Sequence, residues 1–323
     1  MNEGKKGDCA PFARRFQSPN AAAAGACAKI KVFGMLMLAR VFNWVARLPL
    51  PLLHRIGAGL GVLAYYLLPA TRRRIRQHLR LARLPADAAA VRAVLVETAK
   101  GAMELPLAFC LPPEQISALF VRSHGQEHLD AAQAAGEGLL LLTPHLGSYD
   151  LAGRCLSERL PFPLTALYKP PKSAALNQIM QQGRQRGKGR TAPATTQGVK
   201  QIIKALRGGE AVVVLPDHVP DPHEGGGVWA DFFHRPAYTA TLAARLAQLP
   251  KVRVLLFYGE RLPQGQGFVL HIVPPQGAPV GDAAADALWL NRNIEHLIRQ
   301  SPAQYLFAYN RYKHPAGAPL PPR

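Results

Sequence analysis

The chain has 323 residues, 48% of them apolar, and a formal net charge of +19. This length holds one large α/β domain with a sizeable core, and the apolar fraction excludes a disordered or collagen-like chain. So large a basic excess implies an anionic partner: a nucleic acid, an acidic membrane surface or an acidic protein.

Residues 1–28 read as an unstructured tail. They mix Pro, Gly and charge with the run Ala21–Ala24 and show no periodicity. Their basic residues are not followed by a Leu-rich stretch and cleavage site, so they make a poor signal peptide. Cys9, Cys27, Cys110 and Cys155 form no C-x-x-C pair, which gives neither a disulfide framework nor a zinc site.

From Ile30 to Leu53 the chain is rich in Leu, Met, Val, Phe and Trp, broken by Arg40, Asn43 and Arg47. Spacings of three and four put those three on one helical face. The pattern predicts a helix lying in a membrane interface, with Trp44 near the headgroups. A second apolar stretch, Ile56 to Thr71, is short for a span. Arg72, Arg73, Arg74, Arg76, Arg80 and Arg83 follow, with no acid among them. Beside apolar helices such a cluster reads as a site for anionic lipid headgroups, each basic group contributing roughly 1 kcal/mol.

Ala88 to Cys110 reads as helix. The pattern then becomes α/β. Gly138–Thr143 is a continuous apolar run of the buried-strand kind. Pro163–Tyr168, Ala211–Leu215, Val252–Tyr258 and Phe268–Val273 are further strands. Helices are expected at 151–160, 174–185, 199–206, 237–248 and 284–299. Strands alternating with helices imply a mostly parallel central sheet flanked by helices, with the functional site at strand C-terminal ends. The expected organisation is a tail over 1–28, apolar and basic membrane-associating helices over 29–84, an α/β domain over 85–314 and a loose tail over 315–323.

The most informative segment is Leu139-Leu-Leu-Leu-Thr-Pro-His145-Leu-Gly-Ser-Tyr-Asp150-Leu-Ala-Gly. A buried strand ends at Thr143, His145 falls in the turn, and Asp150 opens the next helix. A hydroxyl is a weak nucleophile at neutral pH, and a neutral imidazole can take its proton as it attacks. A carboxylate on the other ring nitrogen fixes the tautomer and stabilises the imidazolium, so the spacing predicts His145 as general base and Asp150 as its partner. Ser148 lacks the G-x-S-x-G setting of a hydrolase nucleophile. A His and an Asp five apart also fit a plain turn with a helix cap.

Here the residues resemble a family. The strand followed by Thr-Pro-His, four residues, an acid and Leu-Ala-Gly is similar to the bacterial lipid A late acyltransferases of the lysophospholipid acyltransferase superfamily. The likeness runs from about Val41 to Lys313. It includes Leu167-Tyr-Lys-Pro-Pro-Lys172, Asn177 to Arg186, Leu215-Pro-Asp217, Gly227 to Ala237, and Pro302-Ala-Gln-Tyr-Leu-Phe-Ala-Tyr-Asn-Arg-Tyr-Lys313.

The resemblance implies acyl transfer from an acyl carrier protein thioester to a hydroxyl of a lipid A precursor, at the cytoplasmic face of the bacterial inner membrane. It implies no cofactor. It also implies substrate-binding roles for Arg184, Asp217, Lys169 and Arg235, while Phe232, Phe233 and Pro236 would shape an acyl or donor pocket. Arg184 would stabilise an oxyanion, or add to a headgroup-binding run with Arg186, Lys188 and Arg190. Asp217 would position the active-site loop or serve the fold alone. Arg72, Arg73, Arg74 and Arg76 would bind the membrane.

The chain departs from the family pattern at several places. Asp150 stands where Glu is common, Lys169 where Arg is, His218 where Gln is, His234 where Gly is, and His78 where Asn is. A different lipid hydroxyl is therefore an alternative acceptor. A second alternative is a metal-dependent hydrolase using Asp217, His218, Asp221 and His223, a ligand-like mixture within seven residues. A nucleic-acid partner is set aside. Aromatics are only 7%, and no helix-turn-helix, RRM or zinc-finger pattern is present.

Overall fold

The computed structural model describes residues 36–171, 173–223 and 226–322. Residues 1–28, read as a tail, lie outside the described residues, as does the start of the first apolar stretch.

The described residues open with three helices, α1 (Leu36–Val45), α2 (Leu50–Leu67) and α3 (Pro69–Leu81). The single long interfacial helix expected up to Leu53 is broken near Pro49 and Pro51, because proline suits only the first turn of a helix. Among the described residues only α2 is long and apolar enough to cross a membrane. It lies along α4 (Ala88–Cys110), and glycine sets the approach. A Cβ at Gly57 would sit 2.8 Å from the Lys100 Cα, and one at Gly61 only 2.4 Å from the Val96 Cα. Spacing by four stacks these two glycines on one helix face. The opposite side of α1 and α2 is bare: Trp44, Leu63, Tyr66 and Leu67 are 65%, 52%, 66% and 65% exposed. Among the described residues nothing covers this apolar patch.

After α5 (Pro113–Ala118), β1 (Phe120–His124) and α6 (Gln126–Ala134) come β2 (Gly138–Leu142), α7 (Tyr149–Arg159), β3 (Leu164–Tyr168) and α8 (Ala174–Arg184). Then follow β4 (Gly189–Pro193), α9 (Thr196–Arg207), β5 (Ala211–Val214), β6 (Gly227–Phe232), β7 (Arg235–Ala240) and α10 (Leu242–Ala247). The chain finishes with β8 (Val252–Arg261), β9 (Phe268–Val273) and α11 (Ala283–Gln300).

Seven strands form one sheet in the order β1-β9-β8-β2-β5-β3-β4. The five strands from β8 to β4 are parallel to their neighbours, while β9 runs antiparallel to β8 and carries β1 parallel to itself. The expected class, α/β with a mostly parallel sheet between helices, is the one observed.

The apolar run of β2 shows why. All five residues are buried, and alternate side chains enter different cores. Leu140 and Leu142 pack with α9, α10 and α11, whereas Leu139 and Leu141 pack with α2, α4 and α7. A strand covered on both faces has to be apolar throughout.

One expected helix is corrected. Residues 237–240 belong to strand β7, paired antiparallel with β6, and the helix begins only at Leu242. Ala237, Tyr238 and Thr239 are buried in that hairpin, which overrides their neighbourhood of helix-forming residues. The hairpin turns on Phe233 and His234, both at positive φ (46° and 63°). The left-handed conformation is one that glycine adopts without strain and that these two side chains adopt here to close the turn. The segment after Pro315 lies against this hairpin, with Trp229 Nε1 donating to the Pro319 carbonyl at 2.8 Å.

Candidate active site

In the parallel sheet, chain connections from β2 lead to β3 on one side and β8 lies on the other. This is the switch point where α/β sheets open a crevice at strand C-terminal ends. His145 sits in that crevice, three residues beyond β2. Its turn is tight. Gly147 has φ +59°, and a Cβ there would lie 2.1 Å from the Gly259 carbonyl oxygen, so only glycine fits between β2 and β8.

The carboxylate on the imidazole is Asp217, three residues beyond β5. Its Oδ1 lies 2.8 Å from His145 Nδ1, and its Oδ2 accepts from the His145 backbone N–H at 2.9 Å. The Tyr305 hydroxyl also reaches it. The partner inferred from spacing was Asp150, and here the geometry corrects the sequence. Asp150 starts α7 and turns to Arg184 at the end of α8, with Nη2 to Oδ1 at 2.6 Å. The two acids therefore divide the work: one fixes the imidazole, the other the guanidinium. Asp150 Oδ2 is buried and has no hydrogen-bond partner.

Electrostatics follow from this arrangement. Burial disfavours the charged form of His145, but the Asp217 charge and hydrogen bond, with Asp150 behind them, outweigh it and raise its pKa above the usual 6.5. Burial likewise acts against the Asp217 carboxylate, yet the His145 ring and backbone N–H hold it down at about 2. Arg184 stays charged, since the adjacent Asp150 more than offsets its burial.

Two further rings brace the imidazole. His218 stacks on it face to face, with centroids 4.0 Å apart and planes 5° apart, and Tyr309 stacks on the far side of His218 at 4.1 Å. Partial burial, then the proximity of His145, lowers the pKa of His218 to about 4, so it faces its neighbour as a neutral ring. Tyr309 is pinned in turn, because its hydroxyl accepts from the Val219 N–H at 3.0 Å.

A cavity of about 220 Å³ lies against His145, walled by Gly101 and Leu105 of α4, by Tyr149 and Asp150, and by Gln304 and Leu306. Asp150 and Tyr149 separate it from a second, smaller cavity of about 50 Å³ beside Arg184, whose walls include Leu164, Leu167, Val213 and Leu215. A buried charge network closes the α4 side of the first: Arg261 meets Glu104 through Nε and Nη2 and Glu97 through Nη1, and His54 joins Glu104 at 2.8 Å.

Other residues singled out from sequence fall as follows. Lys169 follows β3 in an exposed loop on the same sheet edge as His145. Arg235 opens β7 and lies over the Tyr312 ring at 5.3 Å. Phe232 and Phe233 are fully buried in the core that contains Tyr305 and Phe307, and line neither cavity beside His145. The suggested metal set does not assemble. Asp217 holds His145, His218 stacks between rings, and Asp221 accepts from the backbone of His223. Among the described residues no group of three or more His, Cys, Asp or Glu side chains is placed to hold a metal.

Sequence reasoning assigned no role to Tyr305, Tyr309 and Arg311. Their signal was the closing motif itself. Leu306 N–H donates to the His145 carbonyl at 3.1 Å, so this segment is the back wall of the site. Arg311, buried without an acid, donates to the Tyr238 carbonyl and Thr239 Oγ1 and ties that wall to the hairpin.

A sequence model of bacterial lipid A biosynthesis acyltransferases matches residues 26–314. The chain is 29% identical over 282 residues to the lipid A biosynthesis lauroyltransferase of Escherichia coli (strain K12), covering 85% of this chain and 90% of that protein. It is 28% identical over 277 residues to the lipid A biosynthesis palmitoleoyltransferase of the same strain, covering 84% and 87%. A lipid A biosynthesis acyltransferase of Haemophilus influenzae is 25% identical over 284 residues, covering 84% and 88%. With a match spanning most of its length and a strand-end histidine that opens on a cavity, the chain belongs to the bacterial lipid A biosynthesis acyltransferase family and is an acyltransferase.

Proposed function

We propose that the enzyme moves a fatty acyl group from an acyl carrier protein thioester to a hydroxyl of a lipid A precursor, at the cytoplasmic face of the bacterial inner membrane. The observation that carries this reading is that His145, held by Asp217, and Asp150, paired with Arg184, face one cavity at the end of β2. The relatives' names supply the acyl group and the lipid.

With Nδ1 occupied by Asp217, Nε2 of His145 is the nitrogen that meets substrate. It takes the proton of the acceptor hydroxyl as that oxygen attacks the thioester carbonyl carbon. The negative charge that develops on the carbonyl oxygen is stabilised by Arg184, which Asp150 holds in place. The intermediate collapses with cleavage of the C–S bond, and the imidazolium returns its proton to the departing thiolate. The ester and a free thiol result, and no enzyme nucleophile takes part.

The surface supports the same reading. The exposed apolar side of α1 and α2 would lie in the lipid interface, and Arg72, Arg73, Arg74 and Arg76 of α3 would meet anionic headgroups. An acidic carrier protein suits the net charge of +19.

The test is mass spectrometry of lipids after incubation of the purified protein with acyl carrier protein thioesters and phosphorylated glucosamine lipid acceptors. One acyl unit added to the acceptor is expected. Consumption of the thioester by water alone, with every hydroxyl acceptor unchanged, would overturn the proposal.

A further inference from the structure

The positive charge of this chain is not spread evenly. Residues of α3, the first residue of β7, Asn310 and Tyr312 border a cleft of about 440 Å³. Arg73, Arg74, Gln77, His78, Arg235 and Asn310 line it, and among the described residues no acidic side chain does. A second open groove along α3 shares Arg73 and Gln77 and adds Arg76 and Arg80. Three guanidinium groups from two distant parts of the chain thus converge, and among the described residues none of them has an acidic side chain at ion-pair distance. Left to itself such an arrangement is repulsive, and its natural complement is an anion.

Two contacts hold these arginines to the same short segment. Arg74 Nη1 donates to the Ala308 carbonyl at 3.2 Å, and the Arg235 guanidinium rests on the Tyr312 ring. His78 is buried beneath them, with Nδ1 on the Phe307 carbonyl at 2.8 Å. Burial lowers its pKa, the bond to Phe307 opposes that, and the charges of Arg74 and Arg235 lower it further, so both arginines bear on one ring. The positive charge of the cleft comes from guanidinium groups alone. These are planar forks suited to bidentate contact with phosphate oxygens.

We infer that this cleft, built by Arg73, Arg74, Arg235 and Asn310, is a phosphate-binding site that receives a phosphorylated headgroup of the lipid acceptor. The inference rests on the acyl-transfer reading for the identity of the lipid, but not for the binding of phosphate. The site is linked to the chemistry through the segment it sits on. Asn310 follows Tyr309, whose ring is 4.1 Å from His218, which is 4.0 Å from His145. A lipid held by its phosphate here would be fixed relative to the same residues that set the imidazole.

The test uses Arg74→Gln, Arg235→Gln and the double variant of the full chain, all at exposed positions. Binding of a phosphorylated glucosamine disaccharide lipid in neutral detergent micelles is measured without thioester, next to the same lipid with its phosphates removed. Each substitution should weaken binding of the phosphorylated lipid by about 10- to 100-fold, the range expected for a lost charged hydrogen bond. The difference between wild type and variants should vanish for the dephosphorylated lipid. In turnover, KM for the phosphorylated acceptor should rise by a similar factor with kcat changed less than about threefold.

Equal losses on both lipids, or no loss on either, would overturn the inference. So would a loss confined to vesicles of phosphatidylglycerol with micellar binding untouched, because the cleft would then read the bilayer rather than the acceptor. If the wild type binds the phosphorylated lipid selectively but acylates no hydroxyl, the phosphate site stands and the acyl-transfer reading fails.

Discussion

Replacing Asp217 by Asn isolates the contribution of the carboxylate to the imidazole. The native side chain offers one oxygen to Nδ1–H and the other to the His145 backbone N–H. An amide has a single acceptor oxygen, so one of those two donors loses its partner in a buried place. The larger effect is electrostatic. An imidazolium about 4 Å from a carboxylate, at an effective dielectric of about 20, is stabilised by about 4 kcal/mol, which corresponds to roughly 10³ in rate when that charge forms in the transition state. The kcat of Asp217→Asn should therefore fall by about 10³-fold.

The pH dependence gives the second readout. A general base must be neutral, so activity rises with pH through the raised pKa of His145. In Asp217→Asn the charge and hydrogen bond that raise it are gone while burial, which lowers it, remains. The acid limb of kcat/KM must then move to lower pH. In Asp150→Asn it should also move to lower pH but by less, because Asp150 raises the His145 pKa less than the charge and the hydrogen bond of Asp217 do. Stopped-flow thiol release across pH 5–9 measures both. A variant rate within tenfold of wild type, or an unmoved acid limb, would refute the assignment of Asp217 as the partner of the imidazole.

Arg184→Gln should lower kcat by about 10²- to 10³-fold with KM for the acceptor nearly unchanged, as expected for a group that meets charge only in the transition state; a rise in acceptor KM at constant kcat would instead make Arg184 a headgroup contact. His218→Ala removes the face on which His145 stacks and should reduce kcat by about 2- to 10-fold, with His218→Phe restoring most of it; wild-type kcat in the alanine variant would show that the stack positions nothing. Gly147→Ala, whose Cβ would meet the Gly259 carbonyl, should lose about 2 kcal/mol or more of stability and melt about 3 °C or more lower; an unchanged Tm would contradict the close approach of this turn to β8.

What the sequence revealed follows from how local each signal is. The β2 run, the histidine after it and the glycine of the turn are neighbours in the chain, and all were readable. The expectation that Asp150 serves His145 came from the same locality and was misplaced. Asp217 is 72 residues away and reaches Nδ1 only because β5 lies beside β2 in the sheet. Spacing cannot display a partner that strand order creates. Strand β1 carries no apolar run, because Phe120 alone of its five residues is buried. Strand β7 was absorbed into a helix because Ala237 and the alanines after it favour one in isolation. The basic residues of α3 were visible as a cluster, but the cleft they form with Arg235 depends on a contact across more than 150 residues.

The central claim is that Nε2 of His145 removes the proton of the acceptor hydroxyl. Its most direct measurement is acyl transfer by His145→Ala, with circular dichroism and vesicle binding measured on the same preparation. The account predicts a folded, lipid-binding protein whose transfer to the acceptor falls by at least about 10²-fold, the lower end of what a general base contributes. Transfer at close to the wild-type rate by that variant would contradict it.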